Sequence, residues 1–204
     1  MQAPAASNAN DSPLVDTLGM RYLLPDIADR RGKIARLLKS GELIALRRGL
    51  YARRRDIDPL GLAGPIYGPS YVSFETALAK HGMIPEGVIE TISATTKRGV
   101  LFTNDFGRFR YISVPKTVYP VGVCLVTHSD LPFLMASPTK ALCDRIAREG
   151  GFRSLADVAH WLEDMRLDFE TKLDPSELKL CAAGYGRSSV RLLHQFALKK
   201  GYTE

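Results

Sequence analysis

Cysteine is scarce, and the three present fall far apart at Cys124, Cys143 and Cys181. An odd, dispersed set gives neither a disulfide framework nor the paired spacing of a zinc site, so buried reduced thiols are expected. No apolar run approaches eighteen residues, which excludes a chain threaded through a membrane as helices. Residues 1–13 are Ala, Asn, Ser and Pro without a basic start or an apolar run. They read as a disordered tail rather than a leader, and the expected location is cytoplasmic. Chemistry-bearing motifs are equally thin. There is no phosphate-cradling G-x-x-x-x-G-K-[ST] loop, and Gly184-Tyr185-Gly186-Arg187 lacks the third glycine of a dinucleotide fingerprint.

With 45% hydrophobic and 25% charged residues among 204, the chain has the composition of an ordinary globular protein. Its net charge of +6 is unevenly placed. Residues 30–55 hold ten bases (Arg30, Arg31, Lys33, Arg36, Lys39, Arg47, Arg48, Arg53, Arg54, Arg55) against one acid, Glu42, or +9. The 29 residues before it sum to −3, and the 149 after it to 0. A single basic window on a neutral body points to a polyanion-binding face.

A helix is expected over Gly32 to Lys39, with Ile34, Leu37 and Leu38 on one face, the bases elsewhere, and Gly41 as its stop. Leu43–Leu46 and Leu50–Arg53 flank Arg47-Arg48-Gly49, giving a hairpin with an arginine tip. An earlier helix is expected from Leu14 to Tyr22 and a helical turn from Pro25 to Ala28. That order is the order of a winged helix-turn-helix over residues 14–58. The DNA contacts would come from Arg30, Arg31, Lys33, Arg36, Lys39, Arg47, Arg48 and Arg53.

Three Gly and three Pro between Asp56 and Ser70 mark a boundary, with residues 59–70 as a linker or short helix. Beyond it, residues 71–204 form an α+β domain. A helix over Ser73–His81 leads into strands at Val88–Thr95, Val100–Thr103, Arg108–Val114, Cys124–Thr127 and Phe133–Ala136, in a mostly antiparallel sheet. Helices follow from Ser137-Pro138, from Ser154, from a capping box at Asp174–Glu177, and from Ser188.

Three constellations invite chemistry. Ser137-Pro138-Thr139-Lys140 matches the S-x-x-K of serine penicillin-binding enzymes, but the companion motifs are broken and reversed, and an N-cap followed by Pro at N1 explains it better. A hydrolase or nuclease is therefore the outlying alternative, and no enzyme activity is expected. His160 and Glu163 lie three apart on a helix, yet they read as part of a solvated face, with no metal or other cofactor expected. Arg108-Phe109-Arg110-Tyr111 alternates base and ring. Exposed rings there would stack on single-stranded RNA or DNA; rings turned inward would be core.

Lys33 to Arg53, through Leu37-Leu38-Lys39-Ser40-Gly41-Glu42-Leu43 and Arg47-Arg48-Gly49-Leu50-Tyr51, resembles the winged helix of the AbiEi-type abortive-infection antitoxins. Tyr71-Val72-Ser73-Phe74-Glu75-Thr76-Ala77-Leu78 with His81-Gly82 is similar to the start of that family's second domain. So are Ile92–Arg98 and Gly107–Pro115 to its central strands, and Ser137-Pro138-Thr139-Lys140-Ala141-Leu142-Cys143-Asp144 to its S-P-E-K-A-L-x-D helix start. The likeness covers about residues 20–147. It implies a repressor that binds its own promoter in duplex DNA and counters a nucleotidyltransferase-like toxin, with or without direct contact. The last fifty residues match only in being helical.

Overall fold

The computed structural model describes residues 12–25, 27–85, 87, 89–168 and 172–203. Of the expected tail 1–13, all but Ser12 and Pro13 lies outside the described residues.

The first element among the described residues is a strand where a helix was expected. Strand β1 (Leu14–Asp16) pairs antiparallel with β3 (Leu50–Ala52), and only then does α1 (Thr17–Leu23) begin. Asp16 sets that boundary, because its carboxylate accepts the Gly19 N–H at 2.7 Å as an N-cap. Asp29 repeats the device for α2 (Arg30–Ser40), accepting from Gly32 N–H at 2.9 Å. A Cβ on Gly32 would fall 2.0 Å from the Asp29 carboxylate, so this cap requires the glycine. None of the described residues from Leu24 to Asp29 is helical, which removes the expected helical turn. Gly41 ends α2 in the left-handed conformation (φ 78°), and β2 (Ile44–Arg47) turns back into β3, giving a sheet in the order β1-β3-β2.

Residues 59–66 of the Pro/Gly-rich stretch form helix α3 (Pro59–Ile66), with Gly61, Leu62, Ala63 and Ile66 buried. Pro59 sits at N1, where its missing N–H costs nothing, and Gly61 lies against Leu131 with no room for a Cβ.

The larger sheet has six strands in the order β6-β7-β5-β4-β9-β8. They are β4 (Ser70–Val72), β5 (Glu90–Thr95), β6 (Val100–Asn104), β7 (Gly107–Ser113), β8 (Val123–Val126) and β9 (Phe133–Ala136). Three pairings are antiparallel, but β5–β7 and β4–β9 run parallel, so the sheet is mixed. Helix α4 (Phe74–Lys80) covers it together with α5 (Pro138–Ile146), α6 (Leu155–Asp164), α7 (Pro175–Tyr185) and α8 (Ser188–Lys200). The architecture is α+β. Local capping explains these helices well. Ser137 caps α5, Ser154 and Asp157 form a reciprocal box on α6, and Gly186 closes α7. At α7 only half of the expected box forms: Asp174 accepts from Ser176 and Glu177 N–H, while the Glu177 carboxylate accepts from the Ser137 hydroxyl instead.

The two sheets share an apolar cluster. Ile44, Leu46, Leu50 and Ala52 of the hairpin pack with Leu62 and Ile66 of α3 and with Phe109 and Tyr111 of β7. Asn104 Nδ2 donates to Leu46 O at 3.0 Å, and Tyr111 OH to Ala63 O at 2.7 Å.

Candidate nucleic-acid interface

Helix α2 carries five bases and no acid, and it rests on the small N-terminal core through Ile34, Leu37 and Leu38 only. None of its residues is fully buried. At 100° per residue the apolar trio faces one way, which leaves Gly32, Ala35, Arg36, Lys39 and Ser40 facing out, with Arg31 and Lys33 on the flanks. Gly32 and Ala35 are small enough for the helix backbone between the bases to approach a surface closely. Arg30 falls on the inner side. Its Nε donates to Leu24 O and its Nη2 to Pro25 O, both at 3.0 Å, so it staples the connection ahead of α2.

The hairpin tip is held at the start of α1. Gly49 (φ 78°) accepts at its carbonyl from the Thr17 N–H at 3.0 Å and from the Thr17 hydroxyl at 3.3 Å. Thr17 in turn lines a cleft with Arg21, Arg30, Arg31 and Ile34. Arg47 and Arg48 are both exposed at the hairpin tip. Arg21, which the window argument passed over, joins them from α1; the only signal for it was being the sole base before residue 30.

Electrostatics divide the basic window. Arg54 pairs with Asp130 at 2.6 Å and Asp56 at 3.2 Å, and Arg55 with Asp105 at 3.6 Å. Asp105 and Asp130 lie far along the chain, so these two arginines clamp the hairpin module to the larger sheet. Arg53 is half-buried, and its N–H donates to Pro13 O at 2.9 Å. Among the described residues, no carboxylate pairs with Arg31, Lys33, Arg36, Lys39, Arg47 or Arg48. Arg36 Nε reaches only Gly32 O, at 3.3 Å, and Arg47 only the Arg48 carbonyl, at 3.2 Å.

The other constellations resolve differently. Phe109 and Tyr111 are buried against the hairpin and α3, so neither ring is open to a base. Arg108 and Arg110 point to the opposite face, both paired with Glu90 at 2.7 and 2.6 Å. The Arg110 hydrogen bond holds the Glu90 carboxyl below the usual range. His160 meets Asp164 at 3.5 Å, and the described residues contain no group of three metal-ligating side chains.

One cluster joins residues of two motifs, Tyr71-Val72-Ser73 and Ser137–Asp144, whose grouping in the core the sequence did not announce. Lys140 and Asp144 are fully buried and paired at 2.5 Å. Asp144 Oδ1 also accepts from Tyr185 OH at 2.6 Å, and Oδ2 from Tyr71 OH at 2.9 Å and Ser73 Oγ at 2.7 Å. The Lys140 ammonium lies 5.1 and 5.7 Å from the Tyr185 and Tyr71 ring centres. Burial and the neighbouring carboxylate push both phenols far up, and the Cys181 hydrogen bond and burial push up the Cys143 thiol beside them. Lys140, Asp144, Tyr71 and Ser73 are buried and Tyr185 is partly so. The shared bonds pin α5 to β4, to the start of α4 and to α7. No helix of the described residues is long and apolar enough to cross a membrane. No family model matches the chain, and no curated protein is significantly similar to it in sequence.

Proposed function

We propose that this protein is a duplex-DNA-binding transcriptional repressor that uses residues 14–58 as a winged helix. In this reading α2 enters the major groove and the Arg47-Arg48 hairpin is the wing on the flanking backbone or minor groove. One observation carries it: six bases on α2 and the adjoining hairpin tip lack carboxylate partners among the described residues, while the neighbouring Arg54 and Arg55 are neutralised. An unneutralised basic helix about 16 Å long, with small residues on its outward face, matches a groove about 12 Å wide. Lysines would hold phosphates; Arg36, Arg47 and Arg48 are the candidates for guanine edges or a narrow minor groove.

The partner is the protein's own promoter DNA. The antitoxin role, against a nucleotidyltransferase-like toxin, rests on the AbiEi-type resemblance over residues 20–147. Burial of Phe109 and Tyr111 removes the support for the single-strand reading.

The test is a titration of a promoter fragment at several salt concentrations. If about six phosphates are engaged, affinity falls on the order of a thousandfold between 50 and 200 mM salt. Flat salt dependence, or equal affinity for single-stranded RNA in competition, refutes the proposal.

A further inference from the structure

The 149 residues after the basic window are neutral only in sum. Residues 56–177 hold twelve bases and sixteen acids, or −4. Residues 178–203 hold five bases (Lys179, Arg187, Arg191, Lys199, Lys200) and no acid, or +5. This second acid-free stretch makes up most of α7 and all of α8. Helix α8 buries Ser189, Val190, Leu193, Phe196 and Ala197. At 100° per residue the opposite side is Arg187, Ser188, Arg191, Gln195, Leu198 and Lys199, all exposed. Among the described residues, no carboxylate pairs with Arg187, Arg191 or Lys199. Arg191 Nη1 donates to Gly186 O at 3.4 Å. Lys200 lines a cleft with Glu163 and is left out of the row. Ile112 of β7 faces away from Phe109 and Tyr111 and packs on the core that α5 to α8 cover. The row therefore lies across the large sheet from the hairpin module, a separate surface from α2.

We infer that this row is a second contact for duplex DNA, one that holds the phosphate backbone without reading sequence. Charge and residue type select the occupant. Backbone oxygens are bound by Arg, Lys, Ser and Gln side chains, and these are five of the six residues in the row. A protein partner fits less well. Such interfaces are depleted in Lys and Ser and anchored by aromatic side chains, and the row contains no ring. Single strands also need rings to stack on, and Phe196 of α8 is buried. The chain's own first eleven residues carry one acid, Asp11, too little charge to cover three bases. Arg187 and Arg191 stand one turn apart and repel each other, a repulsion that a phosphate between them offsets. The contact goes beyond the α2 reading and does not depend on it.

The experiment titrates the full chain with a short mixed-sequence duplex that lacks the promoter, at about 20 to 200 mM salt. Three variants are compared. One carries Arg187→Gln, Arg191→Gln and Lys199→Gln on α8. A second carries Arg36→Gln and Lys39→Gln on α2. The third, a control, carries Lys80→Gln and Arg98→Gln, exposed bases on other elements. If each α8 base holds one phosphate, the first variant lowers the slope of log Kd against log salt by about two to three. It also weakens binding at least tenfold at about 50 mM salt. Adding the α8 changes to the α2 variant lowers the slope by the same amount again, and the control leaves it unchanged. All these side chains are exposed, so thermal midpoints should hold. A slope that falls no further in the α8 variant than in the control overturns the inference. So does poly-glutamate bound as tightly as the duplex and released by the α8 changes, which would mark a dock for acidic protein. Equal affinity for a single strand of the same sequence overturns it too. Failure of the α2 proposal reads differently: the α2 variant then binds promoter DNA unchanged while the α8 effect persists.

Discussion

Replacing Lys140 by Met removes the charge opposite Asp144 while keeping most of the volume. The remaining carboxylate is fully buried and retains three donors, the hydroxyls of Tyr71, Ser73 and Tyr185. Breaking a buried pair from one side costs about 3–5 kcal/mol. The surviving hydroxyl bonds to a charge place the loss at the lower end, near 3 kcal/mol. Asp144→Ala is worse. It strands a buried ammonium and also orphans three hydroxyls at about 1–3 kcal/mol each, a loss comparable to the whole stability of an ordinary domain. Changing both residues, Lys140→Met with Asp144→Leu, removes the charges together and should cost less than Asp144→Ala alone. The assay is urea unfolding followed by far-UV circular dichroism, comparing midpoints at constant slope. Strictly additive losses in the double variant would refute the argument, because they would mean that the two side chains do not interact. So would a neutral Asp144→Ala.

Arg30 and Arg36 separate structural from surface roles within one helix. Arg30→Ala loses the two carbonyl bonds ahead of α2 and should lower stability by about 1–2 kcal/mol with the salt slope of DNA binding unchanged. Arg36→Ala should leave the thermal midpoint in place and reduce that slope by about one; an equal loss of slope in both variants would put Arg30 in the interface. Acid stability follows from three carboxylates. Asp157 is held below the usual range by the Arg153 and Ser154 N–H groups, Asp174 by the Glu177 and Ser176 N–H groups, and Glu90 by Arg110. A lowered folded-state pKa stabilises above the unfolded value and is lost as pH falls through the folded one. The thermal midpoint should therefore hold from about pH 7 to 5 and drop below about pH 4. Asp174→Asn, which still caps α7, should make that drop shallower; an unchanged drop would remove Asp174 from the account.

What was legible in the sequence is what neighbouring residues decide. Gly41, Ser137 and Ser154 mark helix ends through contacts within four residues, and those ends fall where the spacing put them. The hairpin was equally readable, its strands alternating around Arg48-Gly49. The misread elements depend on distant partners. Leu14 to Asp16 is a strand because β3, 36 residues on, supplies the pairing. Residues 59–66, read as a linker or short helix, take the helical alternative, and Gly61 lets that helix lie against Leu131. The parallel pairs β5–β7 and β4–β9 follow from chain crossings that no local pattern reports. Lys140 and Asp144 stand four apart on a helix, a spacing that ordinarily belongs to an exposed ion pair. Only the packing of α5 under β4 and α7 makes the pair a core feature.

Charge in the basic window shows the same dependence. In sequence, Arg54 and Arg55 look like part of a ten-base cluster; in space, Asp130 and Asp105 take them over and lock the hairpin module to the larger sheet. These pairs, the Asn104–Leu46 bond and the cluster with Phe109 and Tyr111 hold the hairpin against the larger sheet. Among the described residues, the bases of α2 have no carboxylate partner, although Arg30 is tied to the Leu24 and Pro25 carbonyls. Arg30, Lys33, Arg36 and Lys39 follow one another at three-residue intervals, a spacing at which like charges destabilise a helix by about 0.2–0.5 kcal/mol per pair. No acid on α2 offsets them, and Asp29 at its N-cap touches only the first turn. Folding gains nothing from that repulsion, and an acid at any outward position would relieve it. On the proposed reading, a duplex phosphate backbone, with one charge per about 1.7 Å, would relieve that repulsion on binding.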